Sequence, residues 1–244
     1  MIGPFRWLRR RRLKRRPFPP EWHRHLDANV PFAAALTGAE RDRFLCDLKV
    51  FAWEKHFIAA AGMEITDEVI VTISAAAVRL TVHLGMSRYD RLRELIVYPS
   101  HYHHPDRPDG VILGEAHQWG TVVLSWDAVK SGLKNPRDGH DTATHEFAHV
   151  LDRAGGDFNG TPALRAHEHY RPWAQVMSRH FLALRNRGRR HRRILRAYGA
   201  TNEAEFFAVA TETFFEKPAA LAKRLPDLYD ELRRFYGFDP ANRG

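Results

Sequence analysis

The stretch that decides the reading runs from Thr144 to Asp152, THEFAHVLD, and contains H-E-x-x-H as His145, Glu146 and His149. On a helix, residues i and i+4 lie on one face. His145 and His149 therefore project together, and both imidazoles can meet one ion. Glu146 sits beside the first histidine, placed to touch a metal-bound water without being a ligand. Zinc takes neutral nitrogen donors and lowers the pKa of its water to about 7. A carboxylate at that position can take the proton as the water attacks. The chain holds 15 histidines, so these three fixed residues would arise by chance in about one such sequence in twenty. The motif needs a third ligand from elsewhere.

The segment TNEAEFFAVATETFF, Thr201 to Phe215, is where to look. Glu203, Glu205, Glu212 and, just beyond, Glu216 are candidates. Glu205 and Glu212 share one helical face, whereas Glu203 points elsewhere. Spacing alone does not choose between Glu205 and Glu212. Asn202 and Glu205 are also spaced as a helix cap and its partner three residues on. Asp152, one turn past His149, reads better as a carboxylate that accepts a ligating histidine's other N–H than as a ligand. His101, His103 and His104 lie in a Pro/Asp/Gly stretch, and their spacing does not converge. His140 is close in sequence but carries no assigned role.

Outward from the motif, 244 residues with 44% hydrophobic and 27% charged residues describe a globular chain large enough for a core without staples. A single cysteine, Cys46, excludes an intramolecular disulfide and a thiolate-only zinc site, and favours a reducing compartment. The net charge of +9 is concentrated in FRWLRRRRLKRR, from Phe5 to Arg16; without its eight basic residues the chain has 30 basic against 29 acidic. No apolar core follows that run, so a secretory signal is not expected, and no apolar stretch is long enough to span a bilayer. A cytoplasmic protein is the simplest reading. Residues 1–20 read as a basic, flexible arm closed by Pro17, Pro19 and Pro20, followed by one domain over 21–244. A solvated arm is preferred to one that binds an anionic membrane through the interleaved Phe5, Trp7, Leu8 and Leu13, or one that binds nucleic acid. The second basic run, Arg185 to Arg196, reads as solvent-facing.

Periodicity places helices around the motif. Thr37 and Glu40 have capping-box spacing and open a helix through about Phe57. Thr66-Asp67-Glu68 opens another, to about Leu84, apolar nearly all round and so buried. LIVYPS reads as a strand and HYHHPDRPDG as a loop. VILGEA and TVVLSW suggest a hairpin. Later helices cover His167 to Arg185, Asn202 to Phe215, and Ala219 to Tyr236. The class is α+β, a small mixed β-sheet flanked by helices, with the H-E-x-x-H helix after the last strand.

Taken together, PFPPEW, LTVHLG, LIVYPS, GTVVLSWDAV, DGHDTATHEFAHVLD, GGDFNGTP and NEAEFFAVATETFF are far more specific than the motif alone. Across most of its length the chain resembles the family of Mlc titration factor A, a group of zinc-dependent peptidases. Its catalytic segments also look like the metalloprotease domain of anthrax lethal factor. The resemblance implies a zincin-like, gluzincin-type fold. It implies one zinc ion on His145, His149 and Glu205, and Glu146 as general base. It also implies a catalytic Tyr198, seven residues before the ligand glutamate, donating to the oxyanion or protonating the leaving amine. The function expected is hydrolysis of peptide bonds, as aminopeptidase or endopeptidase, with a substrate laid along the edge of TVVLSW. The alternative is a regulatory protein that sequesters a transcription repressor.

Overall fold

The computed structural model describes residues 4–104, 107–112, 114–116, 120–156, 158–186 and 188–242. They form two compact units, Met1–Lys134 and Asn135–Gly244.

In the first unit the basic segment is a helix, α1 (Pro4–Arg15), packed on α3 (Gly38–Glu54), with α2 (Pro20–Asn29) between them in sequence. The segment read as an arm is thus helical and in contact with α3. Arg10 is buried and pairs with Glu54 at 2.6 Å and Asp90 at 2.8 Å, and Leu13 is buried beside it in sequence. These acids lie 44 and 80 residues along the chain, which is why local charge repulsion did not forecast a helix.

Helix α3 starts where predicted, but Thr37 makes no side-chain cap and Glu40 instead holds His83 Nε2 at 2.7 Å. It ends at Glu54, short of Phe57, because the chain turns into strand β1 (His56–Ala59). Buried Lys55 anchors that turn, its ammonium donating to the carbonyls of Tyr89 and Leu92 at 2.6 and 2.7 Å. Helix α4 (Asp67–Arg79) begins at its predicted cap, Thr66, and is buried along most of its length against α2 and α3. It stops at Arg79, before the predicted Leu84.

Strand β2 (Glu94–Tyr98) lies where LIVYPS predicted one. The stretch read as a loop contains a second, two-stranded sheet, β3 (Tyr102–His104) antiparallel to β4 (Arg107–Ile112). Its turn-rich composition hid strands this short. The predicted hairpin is the antiparallel pair of β5 (Gly114–Ala116) and β6 (Thr121–Ser125), shorter than VILGEA because Val111 and Ile112 belong to β4. The main sheet has the order β1-β2-β6-β5, parallel except for β5. Strand β6 therefore has neighbours on both sides and offers no edge to a peptide, contrary to the substrate position expected at TVVLSW. Helix α5 (Trp126–Lys134) closes the unit.

The second unit is helical among the described residues. It comprises α6 (Thr142–Arg153), α7 (Tyr170–Arg185), the short α8 (Arg189–Arg192), α9 (Glu203–Glu216), α10 (Pro218–Arg224) and α11 (Pro226–Tyr236). Pro226 splits what was read as one final helix, since a proline ring bars the preceding residue from helical geometry. Helix α9 is the centre of this unit, apolar over most of its surface and buried from Phe206 to Glu216. Trp173 of α7 meets Phe207 and Phe235 at 5.8 and 5.5 Å, Phe214 stacks on Tyr236 at 5.5 Å, and Thr211 bonds the Tyr236 hydroxyl at 2.9 Å. Helices α6 and α9 pack directly on each other.

Candidate metal centre

The α6 helix begins because Asp141 caps it twice, accepting from the Thr144 amide at 2.9 Å and the Thr144 hydroxyl at 2.7 Å. Its first inward turn then presents His145 and His149. The α9 helix begins because Asn202 Oδ1 accepts from the Glu205 amide at 2.9 Å. The Glu205 backbone is thus the cap's partner, and its side chain is left to turn across to α6.

His145, His149 and Glu205 form the one group of three such side chains, among the described residues, able to hold a metal ion. Glu205 Oε2 lies 2.9 Å from His145 Nε2 and 3.5 Å from His149 Nε2, and the two Nε2 atoms are 3.2 Å apart. A tetrahedral zinc with bonds of about 2.0–2.1 Å spaces its ligand atoms about 3.3 Å apart. The three separations bracket that value, so the donor set and its spacing fit a small divalent cation. The electrostatics agree. Burial disfavours charge on His145, but hydrogen bonds to Glu205 and Glu212 override it and raise the pKa to about 10. Burial likewise opposes ionisation of Glu205, yet the two histidines hold it down at about 2. Each group favours positive charge at the point where the three meet.

The imidazole of His145 is gripped from both sides. Its Nδ1 lies 2.7 Å from Glu212 Oε1, which is fully buried and also receives Arg196. Glu212 Oε2 accepts from the Asp141 amide at 2.9 Å. One turn on, Glu216 Oε2 accepts from the amides of Gly139 and His140 at 2.7 and 3.0 Å. Two carboxylates of α9 thus fix the loop that starts α6. His140 takes part through its backbone, while its side chain is exposed.

Glu146 is buried next to the triad, and desolvation pushes its pKa up. The ring of Tyr198 sits 5.9 Å from that of His145 and is 53% exposed, so this side of the site faces solvent. Burial, with the nearby Glu205 and Glu146 charges, raises its phenol pKa. Phe158 stands edge-on to His149 at 6.2 Å. Glu203 is exposed and turned away, as its place on the helix predicted. Among the described residues Asp152 does not take a histidine: its Oδ2 accepts from the Gly160 amide at 2.9 Å, while its Oδ1 and His149 Nδ1 are both buried with no hydrogen bond to those residues. Burial lifts Asp152 to about 6. The side chains of His103 and His104 lie outside the described residues.

Sequence reasoning had no signal for Arg196 or for the capping by Asp141. For Glu216, the four-residue step from Glu212 was such a signal, because it places both on one face.

The glucose-regulated metallo-peptidase M90 family model matches residues 5–237. An uncharacterized protein of Synechocystis sp. is 35% identical over 96% of this chain and 90% of its own length. Mlc titration factor A of Yersinia pestis and that of Yersinia pseudotuberculosis are each 27% identical over 98% of this chain and 92% of theirs. With a chain-long family match and a relative this similar over nearly its whole length, the chain belongs to the glucose-regulated metallo-peptidase M90 family.

Proposed function

We propose that this protein is a zincin-like, gluzincin-type peptidase that hydrolyses peptide bonds with one zinc ion held by His145, His149 and Glu205. The observation that carries the reading is the near-tetrahedral spacing of those three donors beside a buried glutamate. A bound cation of this kind supplies Lewis acidity to the scissile carbonyl and makes a water a good nucleophile at neutral pH. Glu146 Oε takes the proton from the attacking water and passes it to the leaving nitrogen. Its burial, which raises its proton affinity, suits a base that must hold that proton between the two steps. The Tyr198 hydroxyl donates to the developing oxyanion. Its raised pKa keeps it protonated for that purpose, and its exposure lets a peptide reach it. Glu212 accepts from His145 Nδ1 and so leaves Nε2 as the coordinating nitrogen.

Cleavage within a chain and cleavage at an amino terminus both agree with a site open on the Tyr198 side. The single cysteine favours a reducing compartment and so supports a cytoplasmic location in this reading. Metal analysis of the purified protein, with cleavage of a peptide library before and after chelation, tests the proposal. Zinc near one equivalent and chelator-sensitive hydrolysis are the expected results. Hydrolysis that persists after the metal is removed would sink the proposal.

A second reading has the chain capture a transcription repressor, which the name of its Yersinia relatives suggests. Glu146→Gln separates the two: cleavage is lost in the first reading, whereas capture survives in the second.

A further inference from the structure

We propose that helix α1 and the cavity beside it dock this protein onto the surface of an anionic phospholipid bilayer. The α1 helix is held rigidly by one face. Arg10 and Leu13 are buried, Arg6 pairs with Asp90 at 3.2 Å, and Lys14 pairs with Asp47 at 2.8 Å. Lys49 donates to the carbonyls of Lys14 and Arg16, the natural place for a cation at a helix end. The opposite face is therefore presented to solvent in a fixed orientation.

That face combines two features that a purely solvated helix does not need together. Phe5, Trp7 and Leu8 are 87%, 50% and 54% exposed, three of the seven large exposed hydrophobic side chains among the described residues. Interleaved with them, Arg9, Arg11, Arg12, Arg15 and Arg16 face no acidic side chain among the described residues. Arg11 lies over the Trp7 ring at 5.3 Å.

Next to this face is a cavity of about 330 Å³, lined by Phe5, Arg6, Arg9, Lys55, His56 and Arg93 together with Glu54, Asp90 and Leu92. Its two acids are both engaged by Arg10. The side chains of His56 and Arg93 are exposed and make no hydrogen bond or ion pair among the described residues. A phosphate group entering there meets Arg9, His56 and Arg93 with no free acid opposite.

The apolar triad decides between polyanions. A nucleic-acid duplex, its bases already stacked and its phosphates outermost, rewards the arginines alone. A bilayer interface rewards both, taking the aromatic rings at headgroup depth and the cations at its phosphates. No described helix is long and apolar enough to cross a membrane, so attachment is to one surface.

The test is co-sedimentation of the full chain with vesicles of phosphatidylcholine, alone or mixed with phosphatidylglycerol. Binding is expected only to the mixed vesicles, and it should weaken as salt rises. Each of Arg11→Ala, Arg12→Ala and Arg15→Ala should weaken it about fivefold. The triple change Phe5→Ser, Trp7→Ser, Leu8→Ser should weaken it by about tenfold or more. All six positions are exposed, and circular dichroism of each variant checks that the fold is kept. Failure to sediment with the mixed vesicles overturns the proposal, as does equal sedimentation with both kinds or binding untouched by the triple change. Tight binding to duplex DNA that survives the triple change reassigns the surface to nucleic acid and also overturns it.

Discussion

Replacing Glu212 by glutamine tests how the first histidine is held. The side chain is fully buried and every contact it makes is with a donor: His145 Nδ1 and Arg196 on one oxygen, the Asp141 amide on the other. A carboxylate accepts on both sides, but an amide must turn its NH₂ toward one of them. Glu212→Gln therefore sets a buried donor against a donor, at about 1–3 kcal/mol for the unsatisfied group. The lost pairing with Arg196 adds less, because that side chain is 31% exposed and water screens it. A total near 3 kcal/mol lowers Tm by about 6–12 °C for a chain of this size. Loss of a carboxylate behind a ligating histidine also costs about 10–100-fold in metal affinity. Glu216→Gln is the control. Glu216 Oε2 accepts from two backbone amides, so the amide oxygen of the glutamine can stay where Oε2 is. That variant should lose some stability but bind zinc within about twofold of the parent, on the scale of one neutral hydrogen bond. Zinc affinity comes from competition with a chromogenic chelator, and Tm from calorimetry without metal. Should Glu212→Gln bind zinc as tightly as Glu216→Gln does, Glu212 has no part in presenting His145.

Four further outcomes are expected. Glu146→Gln should cut peptide hydrolysis by about 10²–10⁴ while zinc stoichiometry is unchanged; residual activity within tenfold of the parent removes it as general base. Tyr198→Phe should lower kcat with little change in KM or zinc content, since the group acts only as charge develops. Gly160→Ala should cost about 2 kcal/mol or more in urea unfolding: φ is +74°, and a Cβ there would lie 2.4 Å from the Glu203 carbonyl oxygen. Lys55 is buried and desolvation lowers its pKa to about 8 from 10.5. Between those pH values the unfolded chain binds more protons than the folded one, so stability should rise with pH by about 3 kcal/mol across that window. Lys55→Met should abolish that slope when both proteins are unfolded in urea at a series of pH values.

The parts of the fold that were legible carry their signals locally. Helix α6 has its histidines one turn apart, and α9 has its cap at Asn202 and an apolar run from Phe206 to Ala210. Strand β1 was not legible, because four residues that directly follow a helix carry no pattern of their own. Their hydrogen bonds come from β2, 38 residues away in register. The docking of α1 was hidden for the same reason. At the site, spacing left Glu205 and Glu212 as equal candidates. Both reach His145, but Glu205 meets Nε2 and Glu212 meets Nδ1, so they differ only in which side of one ring they approach. One-dimensional spacing does not contain that distinction. The family resemblance pointed to Glu205, whose Oε2 lies 2.9 Å from His145 Nε2 and 3.5 Å from His149 Nε2.

Glu205, Glu212 and Glu216 ride on a single rod whose flanks are wedged by aromatic rings. A slip of that rod by even a fraction of a turn would unhook the proposed metal donor, release an imidazole and fray the start of the neighbouring helix in the same movement. Damage to the aromatic wedge should therefore abolish metal capture at the proposed centre outright rather than erode it by degrees.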